Sequence, residues 1–308
     1  MKLKGSYSQK SPQIKFLLFC TLFLLSFIFF FLTSNTLSVL FGDFSSLENI
    51  NSDKLFYLKI LQALSSISIF IIPPLLFSYL TDFKYHIKQK IDRQSILLIV
   101  SIIILINPLI YFFSQINQNI VLPEFALGIE LWMKEAEDKA YKITQSFLIM
   151  NNINDLLINL VVIAMIPAIG EELFFRGLIQ KNFCRISSNE HLAVMITAFL
   201  FSAIHMQFFT FFPRFILGII LGYLYFWSKN LWIPILTHFL NNAQVVIFYY
   251  FFSNSHNVLS EFGYSQNQDL NIKTEVILFS FIAVSILLFL MYRHQHNIVK
   301  HDDRNEKN

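Results

Sequence analysis

The run from Ile14 to Leu32 carries no charge after Lys15. It is long enough to cross about 30 Å of hydrocarbon as a helix, which takes roughly 20 residues. Further apolar windows of roughly 19 residues fall near 56–80, 95–115, 150–180, 190–208, 212–227, 231–252 and 275–292, and the first of the series covers 14–33. Hydrocarbon offers no partner to a backbone group, so spans of this kind must be helical. The expected fold is therefore all-α, a polytopic membrane bundle of about eight transmembrane helices. Composition agrees: 55% of the 308 residues are apolar, 14% are charged and Phe occurs 36 times, which rules out water as the main solvent.

Charge placement then orients the spans. Lys and Arg collect in every second connection: the N-terminal tail, then Lys84, Lys88, Lys90 and Arg93, then Lys181 and Arg185, then Lys229, then the tail after Arg293. Connections rich in Lys and Arg stay on the cytoplasmic side, which places both termini there and puts Asn51 and Asn267 in outer connections. The alternate connections are acidic or mixed, with Asp43, Glu48 and Asp53 in the first and Glu261, Asp269 and Glu275 in the last. A net charge of +3 is too small to imply a nucleic-acid partner. Lys2, Lys4, Lys10 and Lys15 precede the first run as they would in a signal peptide, but no small-x-small site closes it, so it reads as an uncleaved anchor. Cys20 and Cys184 match no metal-ligand spacing and are expected to be ordinary buried thiols.

Residues 123–147 mix Leu131, Trp132 and Tyr141 with Lys134, Glu135, Glu137 and Lys139, the pattern of an amphipathic helix lying on the outer surface. Pro73, Pro74 and Pro108 fall inside spans and predict kinks. The polar tail from His294 to Asn308 is expected to be disordered. No internal repeat or Ser/Gly linker divides the chain. An Asn-, Ile-, Lys- and Phe-rich composition points to a bacterial inner membrane.

Three apolar helices carry ionisable or strongly polar side chains: Glu171, Glu172 and Arg176 in one, His205 in another, His238 with Asn241 and Asn242 in a third. Such residues inside a membrane default to a functional reading. Glu172 and Arg176 are four apart and share a helix face, so they can pair. Glu171 is then left without a local partner, as suits a general base or acid. A structural salt-bridge network or a transport pathway fits the same two glutamates. A lone buried His such as His205 is often only a hydrogen-bonded core residue. His238 and Asn242, again four apart, face one side of their helix and can address one water or one carbonyl. If the chain reverses near Ser187, Glu171 and His205 lie at about the same depth. His238, nine residues after Lys229, would lie about 12 Å nearer the cytoplasm unless its helical pair is staggered.

These residues resemble the motifs of the CPBP family, also called the Abi or CAAX protease family of intramembrane metalloproteases. Gly170-Glu171-Glu172-Leu173-Phe174-Phe175-Arg176-Gly177 resembles its EExxxR motif, and Phe201-Ser202-Ala203-Ile204-His205 its FxxxH motif. Leu231-Trp232-Ile233-Pro234-Ile235 leading to His238 and Asn242 is similar to its LWxPI and HxxxN segment, and Phe215 to Tyr225, with Gly218 and Gly222, to its glycine-containing helix. The resemblance covers about 155–250. It implies a catalytic core over 148–255, with N-terminal transmembrane helices and the interfacial helix over 1–147 and a last helix and tail over 256–308.

The resemblance also implies hydrolysis of a peptide or membrane-protein substrate. Glu171 would activate water with His205, His238 and Asn242 would position the water or stabilise the oxyanion, and Glu172 with Arg176 would organise the site. Both a metal-dependent account, with His205 and His238 as ligands of Zn2+ or another divalent ion, and a metal-free glutamate account are open at this point. There is no H-E-x-x-H, no G-x-S-G and no pair of intramembrane aspartates, and Asp155 stands alone. The alternatives are a non-enzymatic bacteriocin-immunity or peptide-binding membrane protein and, behind it, a transporter, for which no inverted repeat is visible.

Overall fold

The computed structural model describes residues 3–41, 52–87, 90–252 and 272–305. Among them every regular element is helical: α1 Pro12–Phe41, α2 Ser52–Ser66, α3 Ile72–Thr81, α4 Arg93–Leu105, α5 Asn107–Gln118, α6 Leu127–Phe147, α7 Ile153–Asn159, α8 Ile166–Glu172, α9 Lys181–Ser187, α10 Glu190–Ala203, α11 Phe211–Ser228, α12 Trp232–Phe252 and α13 Thr274–Asn305. Wider π-turns at Ile67–Ile71, Leu160–Met165 and Leu173–Gln180 join α2 to α3, α7 to α8 and α8 to α9 without breaking the rods.

By length and apolarity, five of the described helices can cross a membrane, or six if α4 and α5 form one span. The expected eight is not reached, for two physical reasons. α10 has only 14 residues, about 21 Å of helix, and α12 carries His238, Asn241, Asn242 and Gln244 in its middle. Both pack on one side only, with Leu192, Met195 and Phe199 of α10 and Ile247 and Phe251 of α12 left exposed. α4 and α5 meet at a bend of 42°, with Pro108 in the first turn of α5. Proline supplies no N–H and its ring clashes with the preceding turn. Pro73 and Pro74 open α3 directly after the first π-turn, where missing N–H groups cost least. α1 and α13 turn large apolar side chains outward, among them Phe16, Phe29, Phe31, Phe279, Phe281 and Phe289. A contiguous apolar exterior of this kind belongs against lipid.

Both ends of the described chain lie at one end of the bundle. Gly5 N donates to Tyr79 O (3.0 Å) and Tyr7 N to Leu80 O (2.8 Å), so the N-terminal segment docks where α3 finishes. At the other extreme, His294 Nε2 lies 2.7 Å from Asp92 Oδ1 and Gln295 Nε2 donates to Ser95 Oγ (2.6 Å), which ties α13 to the start of α4. The expectation of a disordered tail from His294 is therefore corrected for residues 294–305: α13 continues to Asn305, and its turn at His294 and Gln295 is tied to the start of α4. At that same end α3, α9 and α11 stop on left-handed residues, Asp82, Ser188 and Lys229 (φ 53°, 52° and 47°). A residue in this conformation turns the chain out of the helix. The thiol expectation is also corrected. Cys20 is exposed on α1 and Cys184 is partly exposed, because neither helix face is covered at those positions. Asn51 and Asn267 lie outside the described residues.

Small residues set the tightest crossing. A Cβ added to Gly218 of α11 would stand 3.1 Å from both Cα and Cβ of Ala198 on α10, whereas nothing lies within 4 Å of one added to Gly128. Forcing extra carbons into a packed contact costs about 1–3 kcal/mol. Gly218→Val is therefore expected to lower the unfolding temperature of the purified protein in detergent, while Gly128→Val leaves it near wild type. Equal melting of the two variants would contradict this packing.

Candidate active site

The rod Ile153–Ser187, built from α7, α8 and α9, carries two adjacent glutamates. Neighbouring helix positions diverge by about 100°, and their side chains part accordingly. Glu172 turns into the closed side of the bundle, where it is fully buried. Its Oε1 accepts from Arg176 Nη1 at 2.7 Å, one helical turn on, and from His238 Nδ1 at 2.8 Å, across on α12. Arg176 is equally buried, donates from Nη2 to Gly218 O (3.1 Å) and stacks its guanidinium 4.6 Å from the centre of the Phe201 ring. Gly218 thus lets α10 approach and offers its carbonyl to Arg176. One turn further, Gln180 Nε2 donates to Gly222 O (3.0 Å), which repeats the pattern.

Glu171 turns the other way, into a cavity of about 370 Å³ whose walls include His205, His238, Asn241 and Asn242. Its Oε2 is buried without a hydrogen-bond partner. It stands 3.9 Å from His205 Nε2 and 4.0 Å from His238 Nε2. Each imidazole is held from behind by an atom that only accepts: His205 Nδ1 lies 2.8 Å from Phe201 O, and His238 Nδ1 lies 2.8 Å from the Glu172 carboxylate. Nδ1 must therefore carry the proton in both rings, and in the neutral form both Nε2 atoms point bare lone pairs at the space in front of Glu171. Asn242 Nδ2 makes one long bond to Ile163 O (3.4 Å), a carbonyl in the π-turn between α7 and α8. Asp155 is remote in role: it accepts from Asn151 N at the head of α7.

The depth mismatch foreseen for His238 is removed by the stagger it required. The turn before α12 is sunk into the bundle, with Asn230 and Leu231 buried and Leu231 N donating to His86 O at 2.9 Å. His238 Nε2 comes within 4.0 Å of Glu171 Oε2.

Two Nε2 atoms and a carboxylate are the right kinds of atom for a divalent cation, but their spacing is wide. A tetrahedral zinc with bonds of about 2.0–2.1 Å holds its ligands about 3.3–3.4 Å apart, against the 3.9 and 4.0 Å found here. Among the described residues no group of three His, Cys, Asp or Glu side chains stands close enough to hold a metal ion. Separations near 4.0 Å are those of two hydrogen bonds of about 2.8 Å meeting at a right angle on one water.

A family model described as type II CAAX prenyl endopeptidase, Rce1-like, matches residues 153–244, the stretch that holds every one of these side chains. Residues 153–244 are thus similar to the CAAX-protease family. Comparison with curated proteins and with solved structures found no match. Within the matched segment, Glu171, His205, His238 and Asn242 meet at the cavity, and Glu172 and Arg176 stand behind His238.

The sequence reading missed a second polar group in the cavity wall. Arg214, in the first turns of α11, donates to Thr210 Oγ1 and to Gln207 Oε1. Thr210 Oγ1 in turn donates to Glu137 Oε1 of α6 (2.9 Å), and Phe209 N donates to Glu137 Oε2 (3.2 Å). Burial pushes the Glu137 carboxyl above its ordinary range, partly offset by Arg214 and by its bonds to Thr210 and Phe209. Arg214 was findable, since it is a charge at the head of an apolar run. Glu137 was hidden among the other charges of α6.

The Glu172–Arg176 pair yields the second prediction. Removing one partner of a buried ion pair costs about 3–5 kcal/mol. Arg176→Ala should reduce the yield of folded protein and its thermal stability in detergent. Unchanged stability with lost activity would instead make Arg176 a substrate-binding group.

Proposed function

We propose that this membrane protein is an intramembrane endopeptidase that acts on a peptide or membrane-protein substrate through a water in the space between Glu171, His205 and His238, donating one hydrogen bond to Glu171 and the other to one of the two imidazoles. The observation that carries the reading is the unpartnered Glu171 Oε2 facing two bare imidazole nitrogens, at hydrogen-bonded-water spacing, in a cavity inside the bundle. A carboxylate held out of water beside oriented imidazoles is an arrangement for proton abstraction. Glu171 takes a proton from the water as its oxygen adds to the scissile carbonyl carbon. Asn242 Nδ2, which can exchange its long bond to Ile163 O for a shorter one, donates to the resulting oxyanion. Glu171 then returns the proton to the departing amine as the C–N bond breaks and the oxyanion collapses to a carbonyl, leaving a carboxylic acid and an amine. Glu172 acts through His238, whose tautomer and direction it fixes.

The placement proposed is the bacterial inner membrane, with both termini cytoplasmic, because Lys and Arg collect at the end of the bundle that holds them. The family description names CAAX prenyl endopeptidases. A prenylated tail is not assigned to this chain, whose first three spans and C-terminal helix lie outside the matched segment.

Glu171→Gln preserves shape and removes the base, so proteolysis should fall by about 10²–10⁴-fold in protein that remains folded. The readout is the set of membrane and exported proteins whose cleavage products disappear when this variant replaces wild type. Purified enzyme should also retain its activity in a strong chelator, whereas loss restored by zinc would favour the metal account. Wild-type cleavage by folded Glu171→Gln would end the peptidase reading and favour peptide binding.

A further inference from the structure

We propose that the catalytic cleft admits its substrate from the membrane face opposite the termini, the extracytoplasmic face. The substrate class is then an exported peptide or the outer flank of a membrane-anchored segment. This rests on the peptidase reading for the occupant of the cleft and on the cytoplasmic placement of the termini for its side. The direction of opening is independent of both.

Chain direction fixes that opening. The segment 5–7, the turns at Asp82, Ser188 and Lys229, and the α4–α13 contact mark one end of the bundle. From that end α10 rises to a tip at 204–210. There Asn117, in the last turn of α5, donates to Phe208 O (2.9 Å) and accepts from Phe212 N (2.8 Å), while Glu137 of α6 holds Phe209 N and Thr210 Oγ1. His205 sits on this tip. Glu171 stands near the middle of the rod Ile153–Ser187, and the tip at 204–210 borders it on the side away from the termini.

The walls say the same. Gln62 of α2, Ala140 and Thr144 of α6, Gln207 of the tip, and Asn242 and Val246 of α12 all line the cavity. Gln62 lies in the half of the rod Lys54–Thr81 away from Asp82, and Val246 in the half of α12 away from Lys229. No residue of the turns at 82–87, 181–190 or 229–231 does so. Toward the terminal end the cavity is floored by side chains that are almost wholly buried. Glu172 and Arg176 form the first layer, followed by Gln180, Leu178 and Leu231. Water and an extended peptide thus have a route past α6 and none past the floor. The exposures agree, since the His205 side chain is 28% exposed and the Glu171 side chain 11%, against 0% for Glu172.

Charge assigns the faces. Lys4, Lys10, Lys84, Lys90, Arg93, Lys181, Arg185 and Lys229 lie at the terminal end. On the far side Lys134, Lys139 and Lys142 of α6 alternate with Glu130, Glu135, Glu137 and Asp138, and Lys54 and Lys59 of α2 are buried. The excess of Lys and Arg marks the cytoplasmic side. A protein tail tethered to the cytoplasmic leaflet would meet the floor rather than the cleft.

The test reads accessibility and needs no activity. In full-length protein with Cys20 and Cys184 replaced by Ala, a single cysteine is placed in the cleft as Thr144→Cys or, separately, Gln207→Cys. A third variant marks the terminal end as Ile186→Cys, at a side chain 78% exposed near the end of α9. A membrane-impermeant maleimide should label both cleft cysteines in intact cells at least tenfold faster than in inverted vesicles, and Ile186→Cys the other way round. If the cleft cysteines and Ile186→Cys react from the same face, the opening is wrongly placed. If all three patterns are reversed, the cleft opens to the cytoplasm and the assignment of the termini is what fails. Either result overturns the proposal without touching the peptidase reading, which Glu171→Gln tests separately.

Discussion

The buried ion pair between Glu172 and Arg176 is the contact on which the rest of the site depends. Two charges removed from water incur a desolvation cost that only close geometry and further hydrogen bonds offset. Here the offset comes from three directions. Glu172 Oε1 is shared with His238 of α12, Arg176 Nη2 reaches Gly218 O of α11, and the guanidinium lies over Phe201 of α10. Four helices are thereby fixed around two side chains. A bundle held only by apolar contacts would leave their register to packing alone.

That register is what gives Glu171 its surroundings. Because Glu172 is committed to the closed side, the residue before it must face the cavity. Because His238 is held by Glu172 at one nitrogen, its other nitrogen is aimed at Glu171. His205 arrives by a different route, from the tip of the α10–α11 hairpin, where Ser202 Oγ donates to Phe211 O (2.7 Å) and Phe201 O accepts from the imidazole. Two structural contacts on separate helices thus aim two imidazoles at one carboxylate oxygen. Preorganisation of this kind lowers the reorganisation needed during reaction. The cleft and its floor follow from the same pair: the ion pair seals one end, and α6, hung on Phe209 and Thr210 through Glu137, borders the other.

Much of this was legible in the sequence where the signal is local. Glu171, His205 and His238 stand out as ionisable groups in apolar helices, and the four-residue spacings of Glu172 with Arg176 and of His238 with Asn242 are helix-face arithmetic. The ordered motifs reached the family on their own. What stayed hidden depends on contacts between distant segments. The bond from His238 to Glu172 spans 66 positions, and nothing near either residue announces it. The recessed turn at Asn230 and Leu231, which corrects the depth of His238, is likewise set by His86 from another part of the chain. Apolar windows gave about eight spans where length and apolarity of the described helices support five or six, because α10 is short and α12 carries His238, Asn241 and Asn242 among its apolar residues. The tail after His294 read as disordered because Asp92 and Ser95, its partners, lie some 200 residues earlier.

The central claim is that Glu171 Oε2, His205 Nε2 and His238 Nε2 enclose a reactive water. An experimental density map of the protein in lipid, with anomalous data collected at the zinc edge, tests it most directly. The expected result is a peak within hydrogen-bond distance of the carboxylate, about 2.7–3.0 Å from its oxygen, with no anomalous signal and with the three side chains still near the 3.9 and 4.0 Å separations. An anomalous peak at about 2.0–2.2 Å from all three atoms, or a map in which Glu171 turns away from both imidazoles, would contradict the account.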